Sequence, residues 1–246
     1  MEKFYKLFDI NIAVGSREEL YSRCSDMIGR GCAVATVNPE ILAEAARNHE
    51  LRTALSESLC IPDGIGVALM LRRLGCKTER LPGVELGEEL LEGERCVKLA
   101  IIGGREGIAE AAMQNLVMRH RNVIPEFTAS GYDMDCEYIG RQLSDTRPDI
   151  VFVCLGSPKQ ELFISRMRKF SEKTLFLGLG GSADIYSGEK QRAPRIMRAV
   201  GAEWLWRVVC EPKRITRLMK SFSFFMKSAK NSRKSVKIGK KIAKSG

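Results

Sequence analysis

Histidine is scarce in this sequence. The 246 residues contain only His49 and His120. This excludes a His-rich metal centre and leaves little material for cysteine–histidine nucleophilic catalysis. Eight cysteines are scattered along the chain, and none forms a C-x-x-C pair. Such spacing is typical of reduced thiols in the cytosol rather than of a disulfide framework or a zinc site.

Long apolar runs are also missing. No stretch of the sequence approaches the roughly 18 to 20 apolar residues of a membrane-spanning helix. Residues 1–8 carry charges but lack the apolar core of a signal peptide. We therefore expect a cytoplasmic protein. With 44% hydrophobic residues, the chain can bury a sizeable core, either as one large domain or as a domain with an appendage.

Acidic residues are absent from the C-terminal end. Residues 213–246 contain twelve Lys or Arg and no Asp or Glu, whereas residues 1–212 contain 28 basic and 30 acidic residues. The net charge of +10 therefore lies in the tail, and the body is nearly neutral. A basic tail favours contact with nucleic acid or anionic lipid, and a disordered solubilising end is the alternative.

The tail also carries a helical pattern that helps to choose between these partners. Apolar residues recur at spacings of three and four over residues 215–226, with basic residues beside them. This pattern predicts an amphipathic helix at a membrane surface. The aromatic residues precede the Lys-rich end instead of alternating with its cations, which argues against nucleic acid. We expect an anionic membrane surface to be the partner of residues 213–246, and no nucleic acid.

Short apolar runs alternate with amphipathic stretches over most of the remaining chain. Strands are predicted at residues 7–14, 32–37, 58–61, 97–102, 123–128, 149–155 and 174–179. Helices are predicted at residues 18–29, 40–47, 64–74, 84–91, 107–119, 136–144 and 158–170. This alternation predicts an α/β fold with a largely parallel central sheet and flanking helices. We divide the chain into an α/β domain, residues 1–200, and a C-terminal helical appendage, residues 201–246.

Polar residues follow three of the predicted strands, where helices begin. Asn38 follows the second strand, Asp63 the third, and residues 156–161 the sixth. Parallel strands bring such turns to one sheet edge, where ligands bind and helix N-termini favour a diphosphate. Each residue also has a purely structural interpretation. Asn38 and Asp63 are good N-caps, and Ser157 with Gln160 has the spacing of a capping box.

Two other motifs suggest different sites. The glycine turn at residues 103–107 resembles part of a dinucleotide fingerprint, but its first glycine would fall at Ile102. We favour the interpretation that this turn packs a helix closely on its strand, near a phosphate bound at the helix N-terminus. Asp133 and Asp135 form a D-x-D pattern that could hold a divalent metal on a sugar nucleotide. They also suit the charged start of a helix.

Several short motifs together resemble a known family. They occupy residues 36–40, 61–67, 79–83, 155–161, 192–194 and 203–207. In this order and at these separations, they resemble the WecG/TagA/CpsF glycosyltransferases over about residues 8–218. The resemblance implies an α/β core that binds a UDP-sugar at its sheet edge and an appendage that completes the site at the membrane.

The resemblance also implies a reaction. Family members transfer N-acetylmannosamine, or its uronic acid, from UDP to polyprenyl-pyrophosphoryl-N-acetylglucosamine with inversion, in teichoic acid or surface polysaccharide synthesis. They need no divalent ion, so we expect neither a metal nor a cofactor. The alternatives are a metal-dependent D-x-D transferase with another UDP-hexose donor, a nucleic-acid-binding module and a nicotinamide-dependent oxidoreductase. The donor sugar and assembly into a homo-oligomer are left open.

The resemblance assigns roles to individual residues. Asp63 matches the candidate base, and an inverting transfer needs such a carboxylate to take the proton of the acceptor hydroxyl. Thr36 and Asn38 match positions that orient sugar and acceptor, and Gln160 matches a polar contact in the same pocket. Positive charge for the departing UDP is assigned to Arg80. The further substrate-binding candidates are Gly104, Asp184, Arg207, Arg214 and Arg217.

Overall fold

The central feature of the fold is an eight-stranded sheet. The computed structural model describes residues 3–132, 134–199 and 201–210. The strands are β1 (Phe4–Leu7), β2 (Ile10–Ala13), β3 (Ala33–Val37), β4 (Leu59–Pro62), β5 (Val97–Gly103), β6 (Val123–Ala129), β7 (Ile150–Cys154) and β8 (Leu175–Gly178). Their order is β1-β2-β4-β3-β8-β7-β5-β6. Strands β1 and β2 are antiparallel, and the other pairs are parallel. The predicted α/β fold with a largely parallel sheet is confirmed.

Helices flank this sheet. They are α1 (Arg17–Ser25), α2 (Pro39–Ala45), α3 (His49–Ser56), α4 (Ile65–Arg73), α5 (Gly83–Glu89), α6 (Ile108–Arg119), α7 (Cys136–Thr146), α8 (Lys159–Met167), α9 (Ser182–Tyr186), α10 (Arg195–Ala199) and α11 (Glu203–Cys210). The sequence pattern did not predict α3, α9 or α10. The amphipathic helix predicted at residues 215–226 lies outside the described residues. None of the described helices is long and apolar enough to cross a membrane.

The single strand predicted at residues 7–14 is wrong. Phe8 and Asp9 have φ angles of 50° and 64°, so the chain turns there. Leu7 pairs with Ile10 across the turn, and the segment forms the β1–β2 hairpin. The antiparallel strand β1 therefore occupies the edge of the sheet.

Both faces of the sheet are covered. All five residues of β3 and all five of β7 are buried, which accounts for their continuous apolar sequences. Val34 and Phe152 point to the face covered by α1, α5, α6 and α9. On the opposite face, Ala35 packs with α2, α3 and α4, and Val151 packs with α7 and α8.

The path of the chain places a topological switch point between β3 and β8. These strands are neighbours, with Ala35 beside Gly178. The helix after β3, α2, lies on one face of the sheet, and the helix after β8, α9, lies on the other. In open α/β sheets, ligands bind at the carboxyl ends of adjacent strands whose helices diverge in this way. The fold therefore positions a site at the ends of β3 and β8.

Candidate active site

Thr36 joins the two strands that border the switch point. Its hydroxyl Oγ1 donates a hydrogen bond to the carbonyl oxygen of Gly178 at 2.9 Å. On the other side of β3, the main-chain N–H of Asp63 donates to the carbonyl oxygen of Val37 at 3.0 Å. The structure thus brings Thr36 and Asp63, predicted from different motifs, to adjacent strand ends.

The Asp63 side chain contacts a third motif. Its Oδ1 accepts a hydrogen bond from the main-chain N–H of Gly83, the first residue of α5, at 2.8 Å. A Cβ atom on Gly83 would lie 3.1 Å from Thr36 Oγ1, so α5 begins directly against Thr36. The N-cap of α4 is Gly64, with no side-chain cap bond. The interpretation of Asp63 as the cap of its own helix is therefore wrong.

Asn38 is the N-cap of α2, as predicted. Its Oδ1 accepts hydrogen bonds from the N–H groups of Glu40 at 2.9 Å and Ile41 at 3.0 Å, and Pro39 occupies the first helical position. Because the amide oxygen faces the helix, the Nδ2 group points away from these two N–H groups. Asn38 can therefore cap α2 and also contact a substrate at the site.

Gln160 does not form the predicted capping box. The N-cap of α8 is Pro158, without a side-chain cap bond. Gln160 is 2% exposed. Its Oε1 accepts a hydrogen bond from the N–H of Gly180 at 2.8 Å, and its Nε2 donates to Glu161 Oε1 at 2.9 Å. The residue lies at the predicted edge, but its amide holds the turn after β8.

Arg80 connects the site to the last described helices. Its Nη1 lies 3.3 Å from Glu203 Oε1 on α11, and its Nη2 donates to the carbonyl oxygen of Arg198. Its side chain is 20% exposed. The guanidinium therefore lies beside the site but is paired with a carboxylate.

An arginine cluster around Glu85 was not anticipated from the sequence. Arg17 Nη1 lies 2.7 Å from Glu85 Oε2, Arg192 binds Oε1, and Arg198 Nη1 lies 3.9 Å from Oε1. Burial alone would raise the pKa of Glu85, but Arg192 and Arg17 hold it below the ordinary value. The motif at residues 192–194 marked this part of the sequence, but it did not predict that Arg192 pairs with Glu85. The three arginines place positive charge around the first turn of α5.

Gly104 lies in the turn after β5, and Asp184 lies on α9. Gly104 has a φ angle of +76°, and its Cβ would lie 2.8 Å from the Ile108 Cβ at the start of α6. The prediction that this turn packs a helix closely on its strand is confirmed. Ile102 is fully buried within β5, which leaves the dinucleotide motif incomplete. Asp184, on α9, forms an ion pair with Lys190 at 2.9 Å.

The remaining predicted residues are only partly covered by the structure. Asp135 is the N-cap of α7, accepting from the N–H groups of Glu137 and Tyr138, both at 2.9 Å. Asp133 lies outside the described residues, as do Arg214, Arg217 and the side chain of Arg207. Within the part of the chain that the structure describes, no three His, Cys, Asp or Glu side chains are grouped to hold a metal.

Two open surface depressions lie at the opposite edge of the sheet. One is lined by Cys96 and Asn122, near the starts of β5 and β6. The other is lined by Gly31, Glu57 and Glu172, near the starts of β3, β4 and β8. Neither contains a predicted site residue. The polar cluster at the carboxyl edge therefore remains the candidate active site.

Comparison with known proteins identifies the family. The model of the glycosyl transferase WecG/TagA/CpsF family matches residues 5–237. This chain belongs to that family. It is therefore a glycosyltransferase, and the resemblance predicted from the short motifs is confirmed.

Two relatives of this chain carry the same name. The chain is 32% identical over 193 residues to the N-acetylglucosaminyldiphosphoundecaprenol N-acetyl-beta-D-mannosaminyltransferase of Bacillus subtilis (strain 168), covering 77% of this chain and 75% of the relative. It is 33% identical over 205 residues to the protein of that name from Staphylococcus aureus (strain NCTC 8325 / PS 47), covering 82% and 81%. The similarity thus spans most of each protein.

Proposed function

We propose that this glycosyltransferase moves N-acetylmannosamine from UDP onto a polyprenyl-pyrophosphoryl-N-acetylglucosamine, in teichoic acid or surface polysaccharide synthesis. The match to the family over residues 5–237 carries the proposal. The names of both relatives describe mannosaminyl transfer to N-acetylglucosaminyldiphosphoundecaprenol. The cluster of Thr36, Asn38 and Asp63 supplies the chemistry that such a transfer needs.

Asp63 is the proposed general base. The acceptor hydroxyl attacks the anomeric carbon from the face opposite UDP, the bond from that carbon to the UDP oxygen breaks, and the hydroxyl proton passes to the Asp63 carboxylate. The N–H of Gly83, 2.8 Å from Oδ1, orients this carboxylate. The Thr36 hydroxyl and the Asn38 Nδ2 group lie at the adjacent strand ends, where they can orient sugar and acceptor.

The departing UDP carries charge that must be stabilised. Arg80 is the proposed contact, because it lies three residues before the start of α5 in the chain and its charge is oriented by Glu203. On this proposal, the diphosphate replaces Glu203 as the partner of Arg80. Gly104, Asp184, Arg207, Arg214 and Arg217 remain proposed substrate contacts. Gln160 contributes by shaping the turn at Gly180, since its amide is buried and bonded there.

Because the proposed acceptor is a lipid, the enzyme must act at a membrane surface. We propose that residues 213–246, with twelve cations and no acidic residue, attach the protein to an anionic membrane surface. The nucleotide sugar would then meet the lipid acceptor at the inner face of the cell membrane. Attachment would raise the local concentration of acceptor at the site.

A donor screen with the full chain tests the proposal. The acceptor is a short-chain polyprenyl-pyrophosphoryl-N-acetylglucosamine, and the donors are UDP-N-acetylmannosamine, UDP-N-acetylglucosamine and UDP-glucose. We expect UDP release and a product heavier by one N-acetylhexosamine with the first donor only. Equal or faster transfer from UDP-glucose, or no transfer from UDP-N-acetylmannosamine, would contradict the proposed donor.

A further inference from the structure

Glu161 is a buried carboxyl beside the site with no role in the mechanism above. It lies in the first turn of α8 and is 4% exposed. Its Oε1 accepts from Gln160 Nε2, and its Oε2 is buried without a hydrogen-bond partner among the described residues. Glu137 lies in the corresponding turn of α7 and is exposed. Burial of an incompletely bonded carboxyl costs stability, so a helix start alone does not account for Glu161.

The Glu161 carboxyl and the Gly180 N–H together determine which way the Gln160 amide faces. A terminal amide can exchange its oxygen and nitrogen by rotating half a turn. Here the N–H of Gly180 requires the oxygen on one side, and Glu161 Oε1 accepts the Nε2 group on the other. Without an acceptor at residue 161, Nε2 would be buried unsatisfied, and only the Gly180 N–H would still hold the amide in this orientation.

The Gln160 amide in turn contacts the strand end that holds Thr36. A Cβ atom on Gly178 would lie 3.0 Å from Gln160 Nε2, so the amide packs directly on β8. The carbonyl oxygen of the same Gly178 accepts the Thr36 hydroxyl at 2.9 Å. A continuous set of contacts therefore runs from Glu161 through Gln160 and Gly178 to Thr36.

We propose that Glu161 is a positioning residue for the transfer reaction, which orients Gln160 and through it the Gly178–Gly180 turn that anchors Thr36. The inference rests on the proposed function, because it assigns Thr36 to the site of sugar transfer. Glu161 itself touches neither substrate in this arrangement.

The electrostatic setting of Glu161 indicates which replacement should preserve this role. Burial raises the pKa of its carboxyl, and hydrogen bonding from Gln160, from its own main-chain N–H and from Ser157 opposes part of that rise. The Glu161 carboxylate adds to the effect of burial in raising the pKa of the Cys60 thiol on β4. A neutral acceptor of the same shape suits this setting, so Glu161→Gln should keep the Gln160 contact, whereas Glu161→Ala should remove it.

Kinetics of the full-length enzyme provide the first test. We expect Glu161→Ala to lower kcat about 10- to 100-fold, the scale of a misplacement of about 1 Å at a reacting group. The Kd for UDP should stay within about threefold, and Glu161→Gln should restore kcat to within about threefold. Glu137→Gln is the matched control and should match the wild type. Equal losses in the Ala and Gln variants, or a normal kcat for Glu161→Ala, would overturn the proposal.

Amide hydrogen exchange provides a test that does not depend on activity. Glu161→Ala should speed exchange at the Gly180 N–H about tenfold relative to the wild type, while Glu161→Gln and Glu137→Gln should not. Unchanged Gly180 exchange in Glu161→Ala would refute the positioning role. If the wild type transfers no sugar from any donor, the proposed function fails, and the exchange result still decides whether Glu161 holds this turn.

Discussion

The Asp63 carboxylate accepts a hydrogen bond from the main-chain N–H of Gly83 at 2.8 Å, although the two residues are 20 positions apart. A second bond joins the same segments, from the N–H of Leu81 to the carbonyl oxygen of Pro62 at 2.8 Å. The motif around Asp63 and the motif around Gly83 are therefore one structural unit. The second motif fixes the carboxylate that the first one supplies.

This hydrogen bond allows the proton-accepting role of Asp63 to be tested separately from its role in holding Gly83. We expect Asp63→Asn to lower kcat by about two to four orders of magnitude, because an amide cannot accept the proton. Its Oδ1 can still accept from Gly83, so the Kd for UDP and the melting temperature should change little. Asp63→Ala is the comparison variant and should also lose stability, since it leaves the Gly83 N–H without this acceptor. A kcat for Asp63→Asn within about threefold of the wild type would remove Asp63 from the mechanism.

Replacing Arg80 and replacing its ion-pair partner Glu203 should have different effects on the affinity for UDP. If Arg80 binds the UDP diphosphate, Arg80→Ala should weaken UDP binding about 10- to 100-fold, the equivalent of a charge-assisted hydrogen bond. Glu203→Ala breaks the same ion pair but leaves the guanidinium in place, so UDP binding should be unchanged or tighter. Isothermal titration calorimetry with UDP measures both. Equal weakening in the two variants would show that the pair acts only by attaching α11 to the body.

Transfer should proceed without added metal and in excess EDTA. Asp135 caps α7, so Asp135→Ala should cost about 0.5 to 2 kcal/mol of stability. Its rate of transfer, alone or combined with Asp133→Ala, should stay near that of the wild type. The measurement is UDP release with and without EDTA, beside thermal unfolding. Loss of activity in EDTA that manganese restores would favour the metal-dependent alternative.

The cysteines should separate into reactive and unreactive thiols. Burial raises the pKa of Cys24, Cys60 and Cys154 to about 12 in each case. At pH 8, almost none of these three would be thiolate, the nucleophilic form. Cys96, Cys136 and Cys210 are exposed. We expect iodoacetamide to label these three in the native protein and the buried three only in guanidinium, as read by peptide mass spectrometry. Native labelling of Cys60 at the rate of Cys96 would contradict the packing of β4.

The sequence predicts the parts of the fold that are marked by a pattern within a single strand or helix. Strand β7 has a continuous apolar sequence because both of its faces are covered, and strand ends of a parallel sheet necessarily share an edge. Helix α3 was missed, although Asn48 caps it by accepting from Leu51, because a break of three residues separates it from α2. The β1–β2 turn was missed because Phe8, an aromatic residue with positive φ, gives no turn signal.

The errors at the site have a common physical cause. Local capping rules predicted that Asp63 and Gln160 bond to the starts of their own helices. Instead they bond to Gly83 and Gly180, each 20 residues away along the chain. Those partners are set by tertiary packing, which no spacing of residues in the sequence encodes. The capping role of Asn38 was predicted because its partners are two and three residues away.

The basic tail provides the last prediction. Residues 213–246 carry twelve cations and no acidic residue. An anionic membrane contributes about 1 kcal/mol for each cation near its surface, so six engaged cations give about 6 kcal/mol before apolar insertion. Truncation after Pro212 should therefore abolish sedimentation with vesicles containing anionic lipid. It should also lose most transfer to a water-soluble acceptor, because Arg214 and Arg217 are proposed to serve the site.

Truncation after Lys227 leaves five of the cations, and should weaken vesicle binding but spare much of that transfer. Neutral phosphatidylcholine vesicles and high salt are the controls, since both remove the electrostatic attraction. If the chain that ends at Pro212 sediments with anionic vesicles as fully as the whole protein does, another surface attaches this enzyme to the membrane.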